Sequence, residues 1–302
     1  MAGVFVVGSI NQDYVLRLQR RPRPGETVTD AELALFPGGK GANQAVAAAR
    51  LLGAGSVSML GRVGDDAAGP RLISNLEDNG VDTTHVEQVG GVPSGSAFIT
   101  VTPDAENAII VSPGANREFS PEEVDASADA LREASVLVAQ MEVGVEAVER
   151  AARIVSAAGC RVLLNLAPVR EVPSSLLSLP DPLVVNEHEA AFLLGEDAGT
   201  RTPEQTARAL LSLGPRSAVV TLGSDGAALA TPDGSSSYPA PKVNPVDTTG
   251  AGDAFAGALA ARLAEGDSLD EAVPYAVRAG AAAVVREGAQ EAMPYRKELD
   301  ES

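Results

Sequence analysis

The chain has 302 residues, of which 45% are hydrophobic and only 3% aromatic, and its formal net charge is −18. The negative charge argues against nucleic-acid binding, because phosphate backbones would be repelled. The single cysteine, Cys160, excludes an intrachain disulfide, and no apolar run approaches the roughly 18 residues of a membrane span. We therefore expect a soluble cytoplasmic protein that has neither nucleic acid nor a membrane as a partner.

Apolar strands alternate with helices along most of the chain. The apolar run 4–7 predicts a buried strand, and the alanine-rich run 41–52 predicts a helix. From about residue 120 onward, helices alternate with further apolar strands at residues 136–138, 162–164, 183–185 and 218–221. Such alternation is typical of right-handed βαβ units. The sequence therefore predicts an α/β fold with a doubly wound, mostly parallel sheet and helices on both faces.

Two early segments interrupt this alternation. The first, 17–36, is charged and contains several turn-forming residues, and Thr27-Val28-Thr29 within it predicts a short exposed strand. The second, 95–112, alternates in hydrophobicity around a turn at 103–107, which predicts a β-hairpin. We expect the two segments to pair into a small accessory sheet that covers the ligand edge of the main sheet.

Polar residues follow nearly every predicted strand. In doubly wound folds the ligand lies at the carboxyl ends of the parallel strands. The residues at these ends are 8–13, Glu142, Asn165, 186–189 and 221–226. Each of them alone is more often a turn or cap residue than a ligand, but their convergence favours a binding site.

The segment 247–258, Asp-Thr-Thr-Gly-Ala-Gly-Asp-Ala-Phe-Ala-Gly-Ala, is the most informative part of the chain. Its small residues predict a turn that leads into a helix N-terminus, where backbone amides and the helix dipole favour an anion. Asp253 places a carboxylate beside that anion site, as needed to deprotonate a hydroxyl while charge develops on a transferring phosphoryl group. The alternative is a plain glycine-rich loop in which Asp253 only caps the helix.

Several enzyme classes are disfavoured by missing motifs. The segment 38–43 has its lysine misplaced for a Walker A sequence and lacks the following Ser or Thr, and the first strand is not followed by the dinucleotide glycine pattern. The chain has only two histidines, His85 and His188, and neither has the spacing of a metal ligand or of a nucleophile triad.

At these motifs the chain resembles the ribokinase/PfkB carbohydrate kinases. The family's N-terminal signature is similar to 38–45, its C-terminal signature to 247–258, and its Asn-x-x-Glu motif to 186–189, in the expected order over almost the whole chain. The segments 8–13 and 288–290 extend the resemblance. One departure is Ala292, which stands where members often carry a serine that helps to hold a monovalent cation.

The resemblance implies ATP-dependent phosphorylation of D-ribose at its O5 hydroxyl, which gives ribose 5-phosphate. Asp253 would be the general base, and the amides of Gly250, Ala251 and Gly252 would form the anion hole. Phosphoryl transfer needs mainly positioning and charge stabilisation, which agrees with the chemistry expected of the segment 247–258.

The resemblance also implies the other site residues. The sugar would be bound by Asn11, Asp13, Gly39, Lys40, Asn43, Glu142 and Asp253. The nucleotide would lie beside Asn186, Thr221, Gly223 and Gly252. Mg²⁺ would be organised through water by Asn186 and Glu189. A K⁺ site would form from Asp247, Thr249, Ala283 and Gly288, with an activation strength that depends on the effect of Ala292.

Finally, the resemblance implies a division of the chain. Residues 1–13, 38–91 and 113–302 would form the nucleotide- and sugar-binding domain, and the inserts 14–37 and 92–112 would form a β-lid. A lid excludes water that would otherwise hydrolyse ATP, and its exposed strand edges favour a homodimer through the lid.

The substrate is the least determined point. The site lacks an arginine pair for a sugar phosphate, which disfavours a 6-phosphofructokinase, and Tyr14 and Phe98 are the nearest of few aromatic residues that a nucleoside base would need. Deoxyribose, another sugar or a nucleoside remain alternatives to ribose. A non-catalytic sugar-binding regulator on the same fold is a further alternative, which the intact Asp253 and its glycine turn disfavour.

Overall fold

The structure is a computed structural model that describes residues 3–103 and 107–301. The strands are β1 Val4–Val7, β2 Asn11–Arg17, β3 Glu32–Gly38, β4 Val57–Gly64, β5 Val81–Val89, β6 Gly95–Val101, β7 Asn107–Ser112, β8 Val136–Ala139, β9 Arg161–Asn165, β10 Leu183–Asn186, β11 Ala218–Thr221, β12 Ala227–Thr231 and β13 Gly234–Tyr238. The helices are α1 Lys40–Leu52, α2 Gly69–Asp78, α3 Pro121–Ala126, α4 Ala128–Glu133, α5 Val145–Ala157, α6 Ser174–Leu177, α7 Glu187–Leu194, α8 Pro203–Leu210, α9 Ala251–Glu265, α10 Leu269–Ala283 and α11 Arg296–Asp300.

The larger sheet has nine strands in the order β13-β12-β11-β10-β9-β8-β1-β4-β5. The strands from β11 to β5 pair in parallel, and β12 and β13 extend one edge in antiparallel pairing. The prediction of a doubly wound, mostly parallel α/β fold is confirmed. In the described part of the chain, no helix has the length and apolarity needed to cross a membrane.

Two hydrophobic cores cover the two faces of this sheet. Because successive side chains of a strand point to opposite faces, Val4 and Val6 of β1 pack into one core while Phe5 and Val7 pack into the other. The first core is closed mainly by α1, α9 and α10, whose many alanines let the helices lie close to the sheet. The helices α5 and α8 lie against the second core.

The smaller sheet has four strands in the order β3-β2-β6-β7. The hairpin predicted over 95–112 is confirmed as the antiparallel pair β6 and β7, while residues 104–106 of its predicted turn lie outside the described residues. The prediction of a strand at Thr27-Val28-Thr29 is wrong, because the strand in this segment is β3, at Glu32–Gly38. Residues 18–31 form no strand, and Pro22 and Pro24 in this stretch cannot donate to a ladder.

The small sheet draws on both predicted inserts, 14–37 and 92–112, and its strand β2 begins at Asn11, inside the segment 1–13 assigned to the main domain. Asn11 and Asp13 therefore belong to the small sheet and not to a loop after β1. The division of the chain into a main domain and a lid stays a prediction.

Candidate active site

Asp253 lies in the first turn of α9, which begins at Ala251 with Gly250 as its N-cap. One turn further along, α9 approaches α1 closely at Gly257, where an added Cβ would lie 2.5 Å from the Cβ of Ala47. Only glycine allows this approach, because real side chains do not tolerate such a distance. The close contact brings the carboxylate of Asp253 against the first turns of α1.

The carboxylate of Asp253 is buried and accepts a hydrogen bond on each oxygen. Asn43 Nδ2 donates to Oδ2 at 2.9 Å, and Gln44 Nε2 donates to Oδ1 at 2.9 Å. Each carboxylate oxygen keeps a second lone pair. The group is therefore fixed in orientation and still able to accept a proton.

The start of α1 adds a positive charge. The nearby carboxylate of Asp253 raises the pKa of Lys40 despite its burial, with smaller contributions from Glu142 and Glu189. Lys40 therefore stays a cation between the residues assigned to the sugar and those assigned to the magnesium ion. Such a charge suits a transferring phosphoryl group.

Glu142, which lies just after β8, binds the start of α1. Its Oε2 accepts the Ser9 hydroxyl at 2.5 Å and the backbone amide of Lys40 at 3.0 Å. The predicted role for Glu142 is to accept a sugar hydroxyl. The structure gives this carboxylate a second task, which is to hold the β1 end and the α1 start together.

Asp13 lies on β2, and its buried Oδ1 has no hydrogen-bond partner among the residues that the structure describes. Burial, followed by the charges of Glu142, Asp253 and Glu291, raises the pKa of Asp13 to about 7. A buried acceptor without a partner costs ~1–3 kcal/mol. A ligand hydroxyl is the natural partner for such an atom.

A cavity of about 460 Å³ opens in front of Asp13, between the small sheet and the turn at 247–249. Four of the predicted site residues line it: Asp13, Asp247, Thr249 and Gly288. This volume is typical of small-molecule sites. Asn11, at the start of β2, is held by Asn116, whose Nδ2 donates to Asn11 Oδ1 at 2.8 Å.

Asp247 shapes the turn assigned to the potassium ion. Its carboxylate accepts the amide of Thr249 at 2.9 Å and that of Gly288 at 3.0 Å. Burial opposes ionisation, but these hydrogen bonds outweigh it and lower the pKa of Asp247. The amide of Asp247 donates to the carbonyl oxygen of Val284 at 3.2 Å, and Val284 directly follows Ala283. The predicted cation residues therefore lie on three adjoining segments: the 247–249 turn, the end of α10 and the segment at Gly288.

The residues assigned to the nucleotide and to magnesium lie at neighbouring strand ends. Asn186 pairs with Thr221 across β10 and β11, and Gly223 follows in a tight turn. Asn186 caps α7 through a reciprocal pair of bonds, in which Glu189 N donates to Asn186 Oδ1 at 2.9 Å and Asn186 N donates to Glu189 Oε2 at 2.8 Å. Burial raises the pKa of Glu189, with Asn186 and Lys40 opposing it.

The predicted anion hole has a mixed outcome. Gly252 has open space around its Cα, so a ligand can approach it. The amide of Ala251, however, donates to Thr248 O at 3.3 Å, which is a long hydrogen bond within the turn. The assignment of Gly250, Ala251 and Gly252 to an anion hole stays a prediction.

Sequence reasoning missed the amides that hold Asp253. Gln44 directly follows Asn43 in the N-terminal signature, and Gln140 directly follows β8, two residues before Glu142. A buried glutamine in a sequence is indistinguishable from a solvent-exposed one. The only available signal was for Gln140, which lies at the carboxyl end of a predicted strand.

The chain matches known proteins over its full length. The sequence model of the pfkB family carbohydrate kinases matches residues 1–296. A ribokinase of Staphylococcus aureus is 37% identical over 99% of this chain and 98% of that protein. A deoxyribokinase of Salmonella typhi is 38% identical over 99% of this chain and 97% of that protein.

The fold matches as well. The structure of Arabidopsis thaliana ribokinase complexed with ribose and ATP has a TM-score of 0.91 and 34% identity, covering 100% of this chain and 98% of that one. Sequence family and overall fold thus agree, and the chain belongs to the pfkB family of carbohydrate kinases.

Proposed function

We propose that this protein transfers the γ-phosphoryl group of ATP to the O5 hydroxyl of D-ribose, with Asp253 as the general base. The observation that carries the proposal is the fixed, buried carboxylate of Asp253 beside Lys40 and the N-terminus of α9. Asp253 takes the hydroxyl proton as the oxygen attacks phosphorus, and the positive end of α9 stabilises the charge on the transferring group.

The sugar lies in the cavity beneath the small sheet, with Asp13 as its main acceptor. Asn11, Gly39, Lys40, Asn43 and Glu142 are the other proposed sugar-binding residues, although they do not line this cavity. The small sheet would keep water from the reaction. Deoxyribose is the second candidate, because a deoxyribokinase is as similar to this chain as the ribokinases are. We place the reaction in the cytoplasm, where ATP and reduced thiols are found.

The proposal is tested by ADP release with Mg·ATP, K⁺ and a panel of acceptors: ribose, deoxyribose, fructose, fructose 6-phosphate and adenosine. The expected result is the highest kcat/KM with ribose. A higher kcat/KM with deoxyribose would keep the mechanism and replace the substrate. Binding of ribose without turnover of any acceptor would favour a sugar-binding regulator.

Magnesium enters with the nucleotide. Among residues 3–103 and 107–301 there is no cluster of three or more His, Cys, Asp or Glu side chains able to hold a metal. Mg²⁺ keeps several waters and binds mainly through substrate phosphates. Asn186, exposed at the end of β10, and Glu189 would orient these waters, and the ion would neutralise charge on the phosphates.

We expect K⁺ to raise activity through the turn at Asp247, whose oxygens and neighbouring carbonyls suit a large monovalent cation. Replacing K⁺ with tetramethylammonium should lower kcat several-fold, and added K⁺ should restore it. The measurement is initial velocity at saturating ATP and ribose. Equal velocities with both cations would contradict a potassium site. The simplest explanation of that result would be that Ala292 stands where family members often carry a serine.

We also propose a homodimer through the outer face of the small sheet. Register places Leu35, Tyr14, Phe98 and Ile110 in one row across all four strands, and Tyr14 stacks on Phe98 at 5.0 Å. Ile110 is 71% exposed in the single chain, and Phe98 is 40% exposed. A second copy of the same row would cover these apolar side chains.

Ile110→Asp should therefore convert a dimer into a monomer, because a buried unpaired carboxylate opposes the contact. Light scattering coupled to size-exclusion chromatography measures the mass. Phe192→Asp is the matched control, since Phe192 is 51% exposed on α7, away from the small sheet. Two variants of equal mass would rule out this face as the interface.

A further inference from the structure

The carboxylate of Asp253 is held by two chains of side-chain amides. In the first, Gln140 Nε2 donates to Gln44 Oε1 at 2.7 Å, and Gln44 Nε2 donates to Asp253 Oδ1 at 2.9 Å. Gln44 Nε2 also donates to Asn165 Oδ1 at 2.9 Å. Gln44 and Gln140 have no exposed surface, so water does not compete for these bonds.

The second chain reaches the other oxygen. Asn43 Nδ2 donates to Asp253 Oδ2 at 2.9 Å, and Asn43 Oδ1 accepts from Gln290 Nε2 at 3.0 Å. Gln290 Oε1 in turn accepts from Asn75 Nδ2 of α2 at 2.6 Å. Gln290 belongs to the 288–290 segment that resembles the family, so this segment also reaches the proposed base.

The direction of both chains is dictated by chemistry. An ionised carboxylate only accepts hydrogen bonds, so Gln44 must turn its NH₂ group toward Asp253 and its carbonyl toward Gln140. Gln140 must then present its own NH₂ group to Gln44. A flipped Gln44 amide would direct an oxygen at the carboxylate, and a flipped Gln140 amide would direct an oxygen at the Gln44 oxygen.

Gln140 is the terminal member of the first chain and does not touch Asp253. It follows β8 directly, and within the described part of the chain its buried Oε1 has no hydrogen-bond partner. Room for its amide comes from Gly8, where a Cβ would lie 2.0 Å from Gln140 Oε1. Burying a glutamine whose oxygen has no partner costs free energy, which indicates a purpose for the amide.

We propose that Gln140 is a positioning residue for the proposed base, fixing the Gln44 amide and through it the orientation of the Asp253 carboxylate. The proposal rests on the function proposed above. A base must lie within hydrogen-bond reach of its proton in one particular geometry, so small misplacements slow the reaction strongly. Loss of the Gln140 donor would lower kcat and leave the sugar KM nearly unchanged.

Gln140→Glu is the sharpest test. A protonated Glu at this position can still donate to Gln44 Oε1, whereas an ionised Glu can only accept. On ionisation the Gln44 amide would turn toward position 140 and direct its oxygen at Asp253. The ratio of variant to wild-type kcat should therefore fall as the pH rises from about 6 to about 9, opposite to the trend that a general base alone would give.

Other ionisable groups lie around this network, and they are common to both proteins. They are Asp253, Glu142, Asp13, Glu189 and Glu291 as acids, with Lys40 as the cation. Taking the ratio at each pH removes the part of the profile that is the same in both proteins. Thermal unfolding at each pH shows that the variant remains folded over the range of the assay.

Gln140→Met is the uncharged companion variant, because it removes the donor and keeps the volume. We expect a pH-independent decrease of about 2- to 10-fold in kcat, with an unchanged KM for ribose. A pH-independent kcat ratio for Gln140→Glu, or an unchanged kcat for Gln140→Met, would overturn the proposal. If Gln140→Glu does not fold, the Gln140→Met result alone decides. Asp253→Asn distinguishes a failure of the positioning role from a failure of the proposed function, since full activity in that variant would show that Asp253 is not the base.

Discussion

Asp253→Asn should lower kcat by about 10²- to 10⁴-fold, the usual contribution of a positioned general base. The amide cannot take the proton of the attacking hydroxyl. It also cannot satisfy its surroundings, because both oxygens of Asp253 accept from amide donors and an asparagine must direct its own NH₂ at one of them. We therefore expect a stability loss of about 1–3 kcal/mol beside the kinetic effect.

The measurement is steady-state ADP release, with ribose binding followed by calorimetry. Binding should be largely retained, so that the loss appears in kcat. Asp129→Asn is the matched control, since the Asp129 side chain is fully exposed and pairs with Arg132 across one helical turn. Near wild-type kcat in Asp253→Asn would exclude Asp253 as the base.

Asp13→Asn should weaken ribose binding and yet stabilise the ligand-free protein at high pH. Loss of a charge-assisted hydrogen bond costs ~1.5–3 kcal/mol, which corresponds to roughly a 10- to 150-fold higher KM for ribose. Coupled steady-state kinetics over a range of ribose concentrations measure this effect. An unchanged KM would exclude Asp13 from the sugar site.

The sign of the stability effect follows from the pKa of Asp13. Its folded-state pKa of about 7 lies above the ordinary value of 3.8, so the folded state holds the proton more tightly than the unfolded state does. The contribution of Asp13 to stability is therefore present below pH 3.8 and is lost as the pH rises to about 7. The loss is at most about 4 kcal/mol, at ~1.4 kcal/mol per pKa unit, and residual solvation of the side chain reduces it.

Asn at position 13 does not ionise, so the advantage of the variant should grow between about pH 5 and about pH 8. Urea unfolding of both proteins at the two pH values measures it, with Asp129→Asn again as the exposed control. A stability difference that is the same at both pH values would show that Asp13 does not carry a raised pKa.

The sequence predicted the layered fold because the signals for it are local. Apolar β runs such as 183–185, followed by polar residues and a helix, specify a parallel strand and its functional end. The segment 247–258 likewise predicted the turn and helix that carry Asp253. The prediction placed this strand at Thr27-Val28-Thr29 because these residues favour strands. Pairing with β2 decides which residues are extended, and it selects β3 instead.

The details of the site depend on contacts between distant residues. Gln44 and Gln140 are 96 positions apart, and nothing in either local pattern shows that their amides meet. The raised pKa of Asp13 likewise results from its burial, and then from Glu142, Asp253 and Glu291, which only the fold brings near it. The role of a residue within one motif could be predicted from the sequence. Contacts between residues of different motifs could not.

The most direct test of the proposed reaction is ³¹P NMR of the products formed from ATP and D-ribose by the wild-type protein with Mg²⁺ and K⁺. We expect one equivalent of ribose 5-phosphate for each ADP, with the phosphate on O5 and little free inorganic phosphate. ADP accompanied by an equal amount of inorganic phosphate, or a phosphate on another hydroxyl, would contradict the account.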